Sequence, residues 1–298
     1  MASRQVATLA VVGVIVAGLA AALTITQASL AGELTPTTSA TVEVPPPDDS
    51  GFVPDANDFN CEPPAEHPNP VVLVHGTFEN MSNNWFVAAP RLAAEGFCVF
   101  AFNYGGTPGD LIQGTGPVAT SAQQLSLFVD KVLAATGASE VDIVGHSQGG
   151  MMPRQYLKAL NSADKVGTLV GIAPSNHGTD LSGLAQLAIN FDVVADVVQN
   201  ACPACTDQIV GSEFITQLNA GAETVPGVNY TVIATRNDQV VTPFTSGFLD
   251  GADVDNITLQ DVCADDTTEH VGMSFNDTVL TLTRNALDPE NPREVACA

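Results

Sequence analysis

Basic residues are scarce in this chain. Lysine and arginine together number 9, against 33 aspartates and glutamates, and the formal net charge is −24 over 298 residues. A protein that binds nucleic acid or an anionic membrane surface needs clustered positive charge to meet the phosphates. We therefore expect no nucleic-acid partner, and we expect the excess of acids to keep the protein soluble.

Charged side chains are absent from residues 6–23, a run that is rich in alanine and valine. Arg4 precedes the run, and Ser29, Leu30 and Ala31 follow it with the small-residue pattern of a signal-peptide cleavage site. The sequence thus predicts a signal peptide over residues 1–31 and a secreted protein. The run is long for a signal peptide, so an uncleaved membrane anchor stays open as an alternative.

Apolar side chains are sparse in residues 32–58, which are rich in threonine, proline and aspartate. A segment of this composition cannot bury much surface, so we predict a flexible leader. We place the folded domain at residues 59–298, a length that can bury a substantial core. No internal repeat is visible in the chain.

Short apolar runs alternate with longer runs of helical periodicity across that domain. The predicted strands are residues 71–74, 98–102, 141–144, 168–172, 230–235 and 256–260. The predicted helices are residues 87–94, 119–135, 148–160 and 274–286. Several strand runs are apolar throughout, as expected for strands covered on both faces. The alternation predicts a doubly wound α/β fold around a mostly parallel sheet.

The most specific motif is G-x-S-x-G, formed by Gly145, Ser147 and Gly149. It follows an apolar strand and opens a helical run, which is the context of a nucleophile elbow. A serine at the tip of such a turn has a strained backbone, so the residues two positions away must lack side chains that would clash. We predict Ser147 as a catalytic nucleophile, with the helix N-terminus beneath it stabilising negative charge.

Histidine is also scarce, with five in the chain. A serine hydroxyl needs a base to take its proton, and a carboxylate to orient that base. With this elbow the order along the chain is serine, acid, histidine, and only His270 follows plausible candidates for both other members. For the acid we predict Asp238, at the end of a predicted strand, while Asp261, Asp265 and Asp266 stay open as alternatives.

A tetrahedral oxyanion intermediate needs a pair of hydrogen-bond donors. One is the backbone N–H of Gln148, and the other should come from the loop after the first strand. Gly76 lets the backbone of that loop turn close to the site. We therefore predict Thr77 as the second donor, with its hydroxyl as a candidate third donor. A simple strand-ending turn is the alternative interpretation of this loop.

All six cysteines lie beyond the predicted signal peptide, so we expect three disulfides formed in an oxidising compartment. We favour sequential pairing because each bond then closes one local loop. The pairs are Cys61 with Cys98, Cys202 with Cys205, and Cys263 with Cys297. Cys202 and Cys205 also have the C-x-x-C spacing of a zinc site, but no second Cys or His pair nearby completes four ligands, so we expect no metal.

Four stretches together resemble the secreted lipases of actinobacteria, a lipase class 2 type family. They are residues 70–77, 145–150 and 173–179, and Asp238 with Val240, Val241 and Pro243. The elbow and the oxyanion loop are more distantly similar to those of fungal lipases. The similarity extends from about Cys61 to the end of the chain. It implies an α/β-hydrolase fold, hydrolysis of triacylglycerols or related esters, no organic cofactor, and a triad of Ser147, Asp238 and His270.

Residues 175–227 interrupt the alternation of strands and helices and contain an amphipathic run at residues 181–198. We predict a small helical cap over this segment. It is either an ordinary pair of cap helices or a lid and acyl-pocket wall, since a long-chain substrate needs apolar surface beside the nucleophile.

We thus expect a secreted, monomeric serine lipase or esterase that forms an acyl-enzyme and acts on a lipid or ester substrate, including at a lipid–water interface. Three alternatives stay open: an extracellular acyltransferase, a polyester or cutin-type esterase, and a non-catalytic envelope-associated binding protein.

Overall fold

The computed structural model of the protein describes residues 44–180, 183 and 202–297. The predicted signal peptide, the first part of the predicted leader and the run at residues 181–198, apart from Gly183, lie outside the described residues. Within the described part of the chain, no helix combines the length and the apolar character that a membrane span requires.

Six parallel strands form one sheet in the order β2, β1, β3, β4, β5, β6. Their bounds are β1 Val71–Val74, β2 Val99–Phe102, β3 Val141–His146, β4 Val166–Ile172, β5 Asn229–Ala234 and β6 Val254–Thr258. Since parallel strands share one carboxyl edge, the loops that follow β1, β3 and β5 meet at the same edge of the sheet.

Six of the described α-helices lie between strands, and two follow β6. Their bounds are α1 Met81–Trp85, α2 Ala88–Ala94, α3 Val118–Thr136, α4 Gln148–Ala159, α5 Pro203–Asp207, α6 Glu213–Leu218, α7 Leu259–Val262 and α8 Asp277–Leu287. The 3-10 turns are Ala163–Lys165, Phe244–Gly247 and Val271–Ser274.

The sheet has a hydrophobic core on each face. Side chains alternate along β1, so Val72 and Val74 pack into one core with Phe128 of α3, while Val71 and Leu73 face the other core. All four residues of β1 are fully buried. Burial on both faces explains why the central strands read as continuous apolar runs instead of alternating ones.

Several element boundaries differ from the sequence prediction. Strand β6 occupies Val254–Thr258, two residues earlier than predicted, because Leu259 already begins α7. As an edge strand it is largely exposed, so its apolar pattern is weak. Helix α8 begins at Asp277, three residues later than predicted, because the side chain of Asn276 accepts from the backbone N–H of Val279 and caps the helix there.

The described part of the predicted leader packs against the domain. Val53 is buried in one of the cores. The side chain of Asn57 receives the backbone N–H of Ala101 at 2.8 Å and donates to its carbonyl at 2.9 Å. An amide side chain can thus pair with the edge of β2 as a neighbouring strand would. The folded unit therefore includes residues that the sequence analysis assigned to the leader.

Three disulfides pair the six cysteines sequentially, as predicted. The Cα–Cα distances are 5.9 Å for Cys61–Cys98, 5.2 Å for Cys202–Cys205 and 5.4 Å for Cys263–Cys297. The C-x-x-C pair is therefore a disulfide, and its thiolates are not available as zinc ligands.

Candidate active site

Ser147 lies at the tip of a sharp turn between β3 and α4. Its backbone has φ 54° and ψ −121°, a conformation that side-chain-bearing residues rarely adopt. A Cβ atom on Gly145 would lie 1.8 Å from the carbonyl oxygen of Gly149, and one on Gly149 would lie 2.0 Å from the carbonyl oxygen of Val74. Both glycines of the motif are thus required by close backbone approach, and Ser147 has the geometry of a nucleophile elbow.

Asp238 and His270 are hydrogen-bonded. The Nδ1–H of His270 donates to Oδ2 of Asp238 at 2.8 Å, and both side chains are almost fully buried. The other carboxylate oxygen accepts the backbone N–H groups of Val240 and Val241 at 2.8 and 2.7 Å. These bonds hold the carboxylate in one orientation, and with Nδ1 protonated the neutral ring carries its lone pair on Nε2.

The alternative acids lie elsewhere. Asp261 is exposed and pairs with Arg236 at 2.6 Å. Asp266 accepts the backbone N–H of Thr268 at 2.7 Å and forms part of a turn. Asp265 is exposed in the turn after α7. The structure therefore brings Asp238 to His270, and brings none of the three alternatives there.

Ser147 and His270 lie on neighbouring loops. The ring of His146, next to Ser147, lies 5.0 Å from the ring of His270, and its Nε2 is 3.1 Å from the His270 carbonyl oxygen. The Nε2 of His270 is buried and makes no hydrogen bond among the described residues. Within that part of the chain no hydrogen bond joins Nε2 to Ser147, a link that is often loose until substrate binds.

The predicted oxyanion loop lies beside the elbow. The Cβ of Ser147 would be 3.2 Å from a Cβ placed on Gly76. The hydroxyl of Thr77 donates to the side-chain oxygen of Gln148 at 2.7 Å. That hydroxyl proton is therefore in use, which contradicts the expectation that the Thr77 hydroxyl is a free third donor. The backbone N–H groups of Thr77 and Gln148 make no hydrogen bond among the described residues.

Gln208 completes this arrangement and was missed by the sequence analysis. It follows α5 in the predicted cap, and its Nε2 donates to the Thr77 hydroxyl and to the side-chain oxygen of Gln148, each at 2.9 Å. The three side chains link the cap to both candidate oxyanion donors. No sequence motif marks Gln208, because its role depends on contacts 60 and 131 residues away.

A groove with an apolar rim opens next to the site. It is lined in part by Phe78, Phe86, Leu111, Ile112 and Phe275 and has a volume of about 950 Å³. Leu111 is 83% exposed and Phe86 57% exposed. We call this feature the apolar-rimmed groove. Phe78 directly follows Thr77, and Phe275 directly follows the turn after His270. Residues next to both candidate catalytic loops therefore line the groove.

A buried histidine lies at the start of the oxyanion loop. His75 is fully buried, stacks on Tyr104 at 4.3 Å between ring centroids, and has its Nδ1 2.8 Å from the carbonyl oxygen of Gly76. Burial lowers the pKa of His75 to about 4, so this side chain is neutral at physiological pH.

Among the described residues no group of three or more Asp, Glu, His or Cys side chains is arranged to hold a metal ion.

The chain matches a known protein family. The model of the family described as lipase (class 2) matches residues 68–284 of the chain. A triacylglycerol lipase of Pseudarthrobacter phenanthrenivorans is 33% identical over 128 residues, which cover 41% of this chain and 38% of the relative. The matched part of the chain thus spans less than two fifths of that relative.

Solved structures give the fold. Lipase B of Aspergillus fumigatus superposes with a TM-score of 0.64 at 21% identity, covering 82% of this chain and 57% of that one. The mature form of a lipase from Bacillus licheniformis superposes with a TM-score of 0.55 at 15% identity, covering 80% and 96%. The predicted α/β-hydrolase fold is confirmed.

We predict that His75 makes the protein less stable in acid. Its pKa is about 4 in the folded protein and 6.5 in the unfolded reference, so below pH 6.5 only the unfolded chain gains this proton. As pH falls from 6.5 to 4, this residue should remove about 3 kcal/mol of unfolding free energy. Urea unfolding of wild type and His75→Phe across this range measures the difference. Parallel curves would mean that His75 is protonated in the folded protein.

Proposed function

Because this chain belongs to the class 2 lipase family, we propose that it hydrolyses carboxylic esters of lipids, with Ser147 as nucleophile, His270 as general base and Asp238 as its orienting acid. The observation that carries the proposal is the 2.8 Å hydrogen bond between Asp238 and His270. His146, which precedes Ser147 at its strained turn, lies 3.1 Å from the His270 carbonyl oxygen. A buried carboxylate, an imidazole whose Nε2 makes no hydrogen bond among the described residues, and a serine at an elbow are the parts that acyl transfer requires.

The proposed reaction has two halves. In the first, Nε2 of His270 takes the hydroxyl proton of Ser147 as its Oγ attacks the ester carbonyl, and the resulting oxyanion accepts the N–H groups of Thr77 and Gln148. The tetrahedral intermediate expels the alcohol, which receives the proton from His270. In the second half a water, deprotonated by His270, attacks the acyl-enzyme, and the carboxylic acid leaves as the proton returns to Ser147.

Asp238 acts through His270 in this scheme. It keeps the proton on Nδ1 and stabilises the imidazolium that forms when Nε2 takes the serine proton. The two backbone N–H groups on its other oxygen hold the carboxylate in place while His270 takes and returns the serine proton.

The proposed substrates are esters with long apolar groups, such as triacylglycerols, the class named for the matched relative. The apolar-rimmed groove supports this proposal, because its exposed Phe86 and Leu111 would contact hydrocarbon beside the site. The net charge of −24 makes an uncharged lipid surface a better partner than an anionic one.

We also propose that the protein acts outside the cytoplasm. Its three disulfides support this, since such bonds form and persist in oxidising compartments.

We expect Ser147→Ala to lower ester hydrolysis by about 10⁵-fold or more, since no other group can form the acyl-enzyme. The variant should also fail to react with a fluorophosphonate probe, which labels activated serines. Ser162→Ala, a matched loss of a buried hydroxyl outside the site, should keep both properties. Wild-type activity in Ser147→Ala would remove the proposed mechanism.

We expect Asp238→Asn to lower kcat by about 10⁴-fold, because an amide NH₂ facing Nδ1 stabilises the tautomer with its proton on Nε2. Asp261→Asn, which removes an exposed carboxylate, should stay within about twofold of wild type. Steady-state kinetics with a soluble p-nitrophenyl ester makes the comparison. The reverse ranking of the two variants would assign the acid to Asp261.

We expect Phe86→Ser and Leu111→Ser to lower activity on emulsified triglyceride by about 5- to 30-fold, as each removes about 1–2 kcal/mol of hydrocarbon contact. Activity on soluble p-nitrophenyl acetate should be unchanged. Leu127→Ser is the matched control, because Leu127 is exposed on α3 and does not line the groove. Equal activity of all variants on the emulsion would show that lipid does not contact the groove.

A further inference from the structure

Glu79 is a buried carboxylate that the mechanism above does not use. It is 2% exposed, and its Oε2 accepts the backbone N–H of Gly76 at 2.8 Å. The same oxygen lies 2.9 Å from Nδ1 of His146. A Cβ on Gly76 would fall 2.4 Å from Oε2 and 3.2 Å from the Cβ of Ser147, so Gly76 lies directly between this carboxylate and the candidate nucleophile.

His146 connects Glu79 to the histidine loop. Its Nε2 is 3.1 Å from the carbonyl oxygen of His270. A carbonyl oxygen only accepts hydrogen bonds, so Nε2 carries a proton, and an ionised carboxylate also only accepts, so Nδ1 carries one too. The Nδ2 of Asn84 donates to Ser274 at 3.1 Å and lies 3.2 Å from the same Nδ1, a longer contact than that of Glu79. Glu79 and the His270 carbonyl thus favour the imidazolium form of His146.

The charges around this pair agree with that assignment. Burial alone would lower the pKa of His146, but Glu79, the carbonyl of His270 and the charge of Asp238 raise it above its ordinary value. Burial would likewise raise the pKa of Glu79, but His146 and the Gly76 N–H keep it lowered. His75 stays neutral, with its pKa lowered by burial to about 4.

Tyr104 is a further titratable residue on this side of the site. Burial and the charge of Glu79 hold its pKa well above the usual value, so it stays protonated. Its hydroxyl donates to the carbonyl oxygen of His75 at 2.5 Å. The salt bridge of Glu79 is with His146, at 2.9 Å. A buried ion pair of this kind adds little net stability compared with apolar packing, but it holds its partners in one geometry.

We propose that Glu79 and His146 form a positioning pair for the reaction. Glu79 fixes the amide of Gly76 and thereby the direction in which Thr77 presents its N–H to the oxyanion. His146 fixes the carbonyl of His270 and thereby the place of Nε2 above Ser147. The inference rests on the proposed function, since it assigns these residues a role in the same site.

The protonation of the pair is tested first by nitrogen NMR of histidine-labelled protein. At pH 7 the ring of His146 in wild type, assigned by the loss of its signal in His146→Gln, should have both nitrogens protonated. In Glu79→Gln the ring of His146 should become neutral. A neutral His146 in wild type would overturn the proposal, and this result does not depend on any enzymatic activity.

The positioning role is tested by kinetics with a soluble ester. Glu79→Gln should lower kcat by about 10- to 100-fold with KM within about twofold, because substrate still binds but the donors and Nε2 are displaced. The affinity for a boronic acid that mimics the tetrahedral intermediate should fall by a similar factor. A purely structural role would lower the melting temperature without weakening boronate binding relative to substrate.

Glu223→Gln is the matched control. Glu223 pairs with His177 at 2.8 Å, so this variant removes the carboxylate of a second acid–histidine pair outside the site. Its kcat should equal that of wild type. Wild-type kcat in Glu79→Gln would overturn the proposal.

If Glu79→Gln does not fold, His146→Gln takes its place, since a neutral amide cannot pair with Glu79 as the imidazolium does. Its kcat should fall as described, and a wild-type value would again overturn the proposal. If Ser147→Ala retained activity, the proposed function would fail, while the NMR result would still report the state of the pair.

Discussion

Backbone contact at the end of β3 is the constraint on which the site depends. Ser147 is held at positive φ, a conformation that costs about 1–3 kcal/mol for a residue with a side chain. The surrounding sheet holds it there, since its backbone N–H donates to the carbonyl of Ile172 in the neighbouring strand at 2.9 Å. Any side chain at Gly149 would push β1 away, and with β1 the loop that carries Thr77. Ser147 and the predicted oxyanion loop are thus positioned by the same close approach.

Charge inside the site is organised as two buried acid–histidine pairs. Asp238 meets His270, and Glu79 meets His146, with 2.8 and 2.9 Å between the partners. Backbone N–H groups supply further donors to each carboxylate, as buried charge requires. The two pairs touch where His146 meets the carbonyl of His270. A displacement of one pair would therefore also displace the other.

Sequence patterns predict those parts of the candidate site that a local motif marks. Ser147 stands in a motif whose glycines have a steric reason, and His270 was the one histidine in the required chain order. Asp238 was harder to single out in a chain with 33 acidic residues, and its partnership with His270 is visible only in the folded protein. Glu79 was missed for the same reason: it lies two residues beyond Thr77, yet an acid in so acidic a chain carries no signal.

Short elements were also missed. Helices α1, α5, α6 and α7 have four to six residues, which is too few for helical periodicity to be distinguished from chance. Such helices depend on capping and on contacts with distant segments, as α5 does where the backbone N–H of Ala204 donates to the carbonyl of Thr115. Gln208, which follows α5, was therefore beyond the reach of sequence patterns.

The amino-acid sequence alone determined the fold class, the elbow and the sequential pairing of the cysteines, because each depends on residues that are close together in the chain. These are the apolar runs of the buried strands, the two glycines around Ser147 and the local loops that the disulfides close. Only the tertiary structure decided which carboxylate meets His270, that the Thr77 hydroxyl is engaged by Gln148, and that Glu79 lies behind Gly76. These contacts join residues from 3 to 71 positions apart. Hydrogen bonds depend on distances and directions in space, and these exist only after the strands have been brought to one edge of the sheet.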